Sequence, residues 1–207
     1  MINIQNTLET IESYSQDAAE VIRPHLHQID LQSYKNFLNA MYHYTLKSGD
    51  KLSAVAKNAP DQKLKDFFEH MFKEERFHYV LAEQDLKGFD LKPNYDTTPQ
   101  AVKDFNNFWD SLANGHFNGY LGALYVFENI ANKVSDDVKN MLQRLNINEK
   151  QRRWLSIHIE ADAEHGNEIS DLLKKYIADD INTAVAAAKE ASIRWIAVNS
   201  SSFANSF

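Results

Sequence analysis

His158, Asp162 and His165 fall within one short stretch, His158-Ile159-Glu160-Ala161-Asp162-Ala163-Glu164-His165. At about 100° per residue on a helix, Asp162 lies about 40° to one side of His158 and His165 about 20° to the other. Two imidazoles and a carboxylate therefore share one narrow face. Trp154, Ala161, Ile169, Leu172 and Tyr176 continue that face as an apolar stripe, while Arg152, Arg153, Glu160, Glu164 and Lys174 point elsewhere. Polar groups aimed into an apolar core are costly unless something satisfies them. A metal ion bound by all three does so.

A second constellation lies earlier. Leu64, Phe68, Met71, Glu75, His78 and Ala82 follow one helical stripe that is apolar except for Glu75 and His78. Glu-x-x-His sets a carboxylate and an imidazole about 60° apart and one turn along, as two ligands of one ion require. Glu74 is the rival acid, on a face shared with Phe67, His70, Phe77 and Leu81. The stripe favours Glu75 and leaves Glu74 open, and either acid could instead pair with Arg76 or a lysine at the surface. The third element is Glu128, the single acid between His116 and Ser135, on a stripe with Leu121, Leu124, Tyr125 and Ala131. A buried carboxylate needs a partner. A metal is one candidate; Lys133 or a tyrosine across the core is the alternative.

Taken together, Glu75, His78, Glu128, His158, Asp162 and His165 offer three carboxylates and three imidazoles. Oxygen and nitrogen ligands without sulfur suit iron or manganese. Six ligands are too many for one catalytic ion that keeps open positions, and they suit two. Three carboxylates against two divalent ions leave about one positive charge, whereas the empty site is strongly frustrated.

Long helices must hold these residues, and the chain reads as such. The first is expected from about Ile4 to Ile22, stopping before Pro24. Asp30 can cap a second that runs to about Ala56, and Asp61 a third that runs to about Leu86 and closes at Gly88. After a loop containing Pro93, Thr98-Pro99 opens a shorter helix ending near Asn114-Gly115. A fifth is expected over about 117–145, with a bend near Asn132, a sixth over about 148–177, and a last from about Asp180 to Val198 before a Ser/Asn-rich tail, Asn199 to Phe207. The ligand-bearing helices are thus about 61–86, 117–145 and 148–177. One all-α domain spanning 1–207 is expected, a bundle of about seven helices.

Composition agrees. The chain has 207 residues, 43% hydrophobic and 12% aromatic, enough for one sizeable core, and its six Gly and four Pro are few breakers for so long a chain. A net charge of −7 without a basic cluster argues against nucleic acid. There is no cysteine, which excludes disulfides, thiolate-bound zinc, iron–sulfur ligation and a Cys nucleophile. No apolar run approaches the roughly 20 residues of a membrane span, and Met1 to Ile22 is polar and acidic rather than signal-like. A cytoplasmic protein with a small-molecule substrate and no membrane partner is the expectation; a homodimer is compatible with it.

Glu75-x2-His78, then Glu128 within Leu124-Tyr125-Val126-Phe127-Glu128, then His158-x3-Asp162-x2-His165 resembles the haem-oxygenase-like di-metal oxidases and oxygenases, within the haem oxygenase/TenA/PqqC-like superfamily. The resemblance covers roughly Leu31 to Ile177, and the final His-x3-Asp-x2-His is its most specific part. It implies a seven-helix domain with a labile di-iron site (Fe/Fe, or Mn/Fe) that activates O2 as co-substrate. It also implies chemistry such as oxidative cleavage of fatty or amino acids, N-oxygenation, or 4-aminobenzoate formation. Glu75, His78 and His158 would surround one ion and Glu128, Asp162 and His165 the other, with bridging unassigned. Tyr42, Tyr44, Tyr125 and Trp154 are candidate pocket aromatics, each equally able to be plain core; His43 stays outside the ligand set.

Other readings remain in the same superfamily and beyond it. A ferritin-like di-iron bundle uses two Glu-x-x-His motifs, but here the second is Asp162-x2-His165, with His158 where a carboxylate belongs. TenA-type thiaminases rely on a cysteine that this chain lacks. A PqqC-like metal-free oxidase would want basic groups around an acidic substrate, not clustered carboxylates. A haem-dependent member could use His25 or His27 and the Gly119-x2-Gly122 pair, but would leave three acids unexplained. A zinc hydrolase would not need six ligands, and a partner-binding member without activity is the non-enzymatic alternative.

Overall fold

The computed structural model describes residues 4–203, without the side chains of residues 160–165, so Asp162 and His165 lie outside the described residues. Among the described residues there are nine α-helices and no strand: α1 (Ile4–Gln28), α2 (Leu31–Thr45), α3 (Ser48–Lys57), α4 (Gln62–Glu75), α5 (His78–Lys87), α6 (Gln100–Gly115), α7 (Phe117–Arg144), α8 (Arg153–Tyr176) and α9 (Ile181–Phe203). No helix among them is long and apolar enough to cross a membrane. The seven expected helices correspond to these nine, because two of them are divided.

Both divisions bear on the site. The expected second helix breaks at Leu46-Lys47 and the third at Arg76-Phe77, between Glu75 and His78. The breaks face one another: a side chain on Gly49 would start 3.0 Å from Arg76 Cβ and 3.3 Å from the Phe72 ring. Periodicity alone cannot see this, because it counts residues along one axis while the break is set by a partner distant in sequence.

Three other boundaries move. α1 continues through Pro24 to Gln28 instead of stopping at Ile22, with Ile22 and Leu26 both buried on one stripe; burial of the following turn outweighs the hydrogen bond that Pro24 cannot donate. Pro99 caps α6 from outside. Helix α9 runs on to Phe203, which is buried and stacks on Phe37 at 6.3 Å, so the first part of the expected tail is helical. Asp30, Asp61 and Asn148 cap as expected, accepting from Ser33, Leu64 and Lys150 backbone N–H groups.

α7 lies at the centre, packed against α1, α8 and α9. Gly122 makes the last of these contacts close: a Cβ there would meet the Ala184 carbonyl oxygen at 2.4 Å, backbone against backbone. Gly119, one turn earlier, faces Leu112, Thr183 and Ala187. The glycine pair is therefore used in α7–α9 packing. Behind it, Tyr44, Phe105, Trp109, Phe127 and Trp195 form an aromatic wall with ring centroids 4.8–6.2 Å apart.

Candidate metal centre

Glu75 ends α4 and His78 begins α5, so the two straddle the helix break. His158 comes from the second turn of α8. One ligand atom from each of Glu75, His78 and His158 lies within 4.8 Å of the others. The two imidazoles meet edge to face, with centroids 4.8 Å apart.

Two ties set this geometry. Asp85, fully buried in α5, accepts from the backbone N–H groups of Arg153 and Trp154 at 2.9 Å each, one with either carboxylate oxygen. A carboxylate on α5 thereby satisfies the otherwise orphaned N–H groups at the start of α8. Next to it, Gln151 Nε2 donates to the Gly88 carbonyl (2.8 Å), and Tyr34 OH donates to the Gln151 carbonyl (2.8 Å). At the far end of α8, Tyr176 OH donates to Asp61, the cap of α4, at 2.6 Å. The helices carrying Glu75, His78 and His158 are thus fastened at both ends of α8.

The cluster's electrostatics fit a cation. His78 Nδ1 lies 2.7 Å from Glu75 Oε2, yet off the line a ring N–H hydrogen bond needs, and this buried nitrogen has no hydrogen-bond partner. His158 Nδ1 is 2.6 Å from the Trp154 carbonyl oxygen. A carbonyl only accepts, so Nδ1 carries the proton and Nε2 keeps its lone pair for a ligand. The His158 ring stacks on Trp154 at 3.9 Å. Burial lowers its pKa below the usual histidine value, against the pull of Glu75 and Glu128 in the other direction. A neutral imidazole with its outer nitrogen engaged and its inner one free is the form a metal takes. An orphaned buried nitrogen beside a carboxylate, opposite such a histidine, fits a divalent ion.

Glu128, buried in α7, lines one cavity together with Glu75 and His158. The cavity holds about 40 Å3 and is also lined by Tyr44, Trp109, Tyr120, Leu124 and Phe127 among others. Burial first raises the phenol pKa values of Tyr44 and Tyr120; the neighbouring Tyr120 and then Glu75 and Glu128 add to it at Tyr44, and the same two acids at Tyr120, so both stay protonated. Lys133, the alternative partner for Glu128, pairs instead with Glu12. Glu74 turns to the surface, where its Oε1 lies 3.4 Å from His70 Nε2. The structure brings Glu75, His78 and His158 together and sets Glu128 in the same cavity; Asp162 and His165 are outside the described residues.

Of the candidate aromatics, Tyr44 lines this cavity and Trp154 a second, apolar one of about 70 Å3 that shares Phe127 and His158 with it. Tyr42 packs instead on Tyr79 and Tyr95, and Tyr125 pairs with Glu12. His43 is buried away from the cluster, with Nε2 2.8 Å from the Asn94 carbonyl and Nδ1 3.1 Å from Thr98 Oγ1; it pins the loop before α6. His27 pairs with Asp137 at 2.8 Å and His25 packs on Phe203.

Sequence reasoning missed Lys51, Tyr120 and Trp109. The signal for Lys51 was available: Ser48, Lys51, Leu52, Val55 and Ala56 are spaced as one buried helical stripe, and a lysine within it is as unusual as Glu128.

An all-α bundle with this topology is a haem-oxygenase-like fold. The sequence profile of the "Iron-containing redox enzyme" family matches residues 35–197, and the chain belongs to that family. Among solved structures, a domain of unknown function with a haem oxygenase-like fold from Shewanella denitrificans OS217 superposes with a TM-score of 0.83 at 17% identity, over 99% of this chain and 93% of that one. A TenA homologue from P. horikoshii OT3 gives 0.76 at 13% identity over 96% and 98%. Another TenA homologue, from Pyrococcus furiosus, gives 0.74 at 17% over 95% and 100%. At these identities the likeness is one of fold. No curated protein matches the chain.

Proposed function

We propose that this protein is an O2-dependent oxidase or oxygenase of a small molecule, built on a non-haem di-iron centre. The observation that carries the reading is the Glu75–His78–His158 cluster, with His78 buried between two half-buried neighbours and its Nδ1 2.7 Å from Glu75 Oε2 without a hydrogen bond. Membership of an iron-containing redox family supports iron as the ion.

Glu75, His78 and His158 hold one iron. Glu128 holds the second together with Asp162 and His165, which stand four and seven residues after His158 on α8. Three carboxylates and two divalent ions leave about one positive charge in a low-dielectric site, a balance that favours occupancy. When bound, the irons supply electrons and open positions for O2.

The chain's own residues do the rest. The Trp154 carbonyl fixes the His158 ring so that Nε2 faces inward. Leu52, Met71, Leu124 and Phe127 give the cavity an apolar part of its lining. Tyr44 and Tyr120, held protonated by burial and by the adjacent acids, supply neutral phenols at its edge instead of further negative charge.

The reading is tested by O2 uptake. Protein loaded anaerobically with Fe(II) and mixed with O2 is expected to consume it in a stoichiometric burst that exceeds the same iron free in buffer. Protein loaded with Zn(II) is expected to consume none. Equal uptake with free and bound iron would overturn the proposal.

A further inference from the structure

Lys51, in α3, is 4% exposed and lines the cavity of the cluster. Its Nζ donates to Asn106 Oδ1 and stands 5.2 Å above the Tyr44 ring. An ammonium has three N–H donors, and among the described residues no carboxylate reaches ion-pair distance; Asp50 and Asp110 act on it only from further away. Burial lowers its pKa to about 8, which leaves it charged at neutral pH.

A second observation comes from α6. Trp109 is 2% exposed, lines the same cavity, and its indole Nε1 has no hydrogen-bond partner. Packing in the aromatic wall accounts for the ring of Trp109 but not for its N–H, and a methionine would fill the place of Lys51 beside Leu52. Buried donors without enough acceptors, on two residues that line one cavity, mark a place for an acceptor.

We propose that Lys51 and Trp109 seat the carboxylate of an organic-acid substrate beside the metal cluster. The seat rests on the di-iron reading, because Glu75 and Glu128 line the same cavity and repel an anion unless cations neutralise them. A carboxylate carried on an apolar body fits better than an inorganic anion, since Leu52, Met71, Leu124 and Phe127 are also among the lining residues. Phe127 and His158 border both this cavity and the larger apolar one, which sets the direction in which that body would run.

Hexanoate and hexan-1-ol, the same chain with and without the charge, test the seat. Each is titrated calorimetrically into Fe(II)-loaded protein under argon, with iron content measured on the same sample. Wild type is expected to bind hexanoate about tenfold tighter than hexan-1-ol, as a charge-assisted pair allows. Lys51→Met removes the preference and leaves hexan-1-ol binding unchanged, while Lys51→Arg restores most of it. Trp109→Phe keeps the ring, removes the N–H and weakens hexanoate alone; it carries the test if Lys51→Met does not fold. Full iron loading with no preference in wild type, or with the preference intact in the variants, overturns the seat alone. Absence of bound iron overturns the di-iron reading, and the seat with it.

Discussion

Asp85 and Trp154 are joined across two helices: the Asp85 Oδ2 accepts from the Trp154 backbone N–H at 2.9 Å, while Oδ1 takes that of Arg153. His78 begins the helix that carries Asp85, and His158 lies one turn beyond Trp154. The distance between the two histidines is therefore governed by a residue that touches neither. Replacing Asp85 by alanine leaves two buried N–H groups unsatisfied and is expected to destabilise the fold by roughly 2–4 kcal/mol, read from urea denaturation.

The same residue gives a pH dependence of known sign. Burial raises the Asp85 carboxyl from 3.8 to about 6, more than the Trp154 and Arg153 N–H groups lower it. A folded-state pKa above the unfolded one means that folding takes up a proton. The contribution is fully present below the unfolded pKa and is lost as pH rises through about 6. Between about pH 4 and 7, the urea midpoint of wild type should fall relative to that of Asp85→Asn, which cannot titrate. Parallel profiles would contradict this.

Iron should stabilise the protein through His158. Free Fe(II) at about one hundred times its dissociation constant adds roughly 2.7 kcal/mol to the folded state. Anaerobic melts of wild type should shift upward accordingly, while His158→Ala, without the Nε2 that the Trp154 carbonyl orients, should show a much smaller shift at the same iron concentration.

Glu74 and Glu75 are adjacent in sequence but differ in environment, since Glu74 meets His70 at the surface and Glu75 meets His78 in the interior. Glu75→Gln is expected to weaken iron binding by about tenfold or more, and Glu74→Gln to leave it unchanged. Competition with a coloured Fe(II) chelator reads both.

Gly122 has no room for a methyl group, because a Cβ would lie 2.4 Å from the Ala184 carbonyl oxygen. Gly122→Ala must push α9 from α7 and should cost about 1–3 kcal/mol, measured by thermal denaturation with and without iron.

The helices and their apolar faces were legible because burial repeats with the helical period: Leu64, Phe68 and Met71 are buried, as are Trp154, Ile169, Leu172 and Tyr176. Glu75, His78 and Glu128 were legible for the converse reason, as polar residues on apolar stripes. The break between Glu75 and His78 was not, since it is matched to Gly49, distant in sequence. Nor was the division of the aromatics: Tyr42 and Tyr44 are two residues apart, and only the packing of α2 decides that Tyr44 faces the cavity while Tyr42 faces Tyr79 and Tyr95. Asp85 was overlooked although it shares a buried stripe with His78, Ala82 and Leu86, and its backbone partners come from another helix.

The most direct test of the central claim is anaerobic titration of metal-free protein with Fe(II), followed by rapid mixing with O2 under optical observation. An endpoint at two irons per chain and a transient visible absorption after mixing are expected, with the endpoint falling to one in His165→Ala. An endpoint at one iron in wild type, or no optical change with O2, would contradict it.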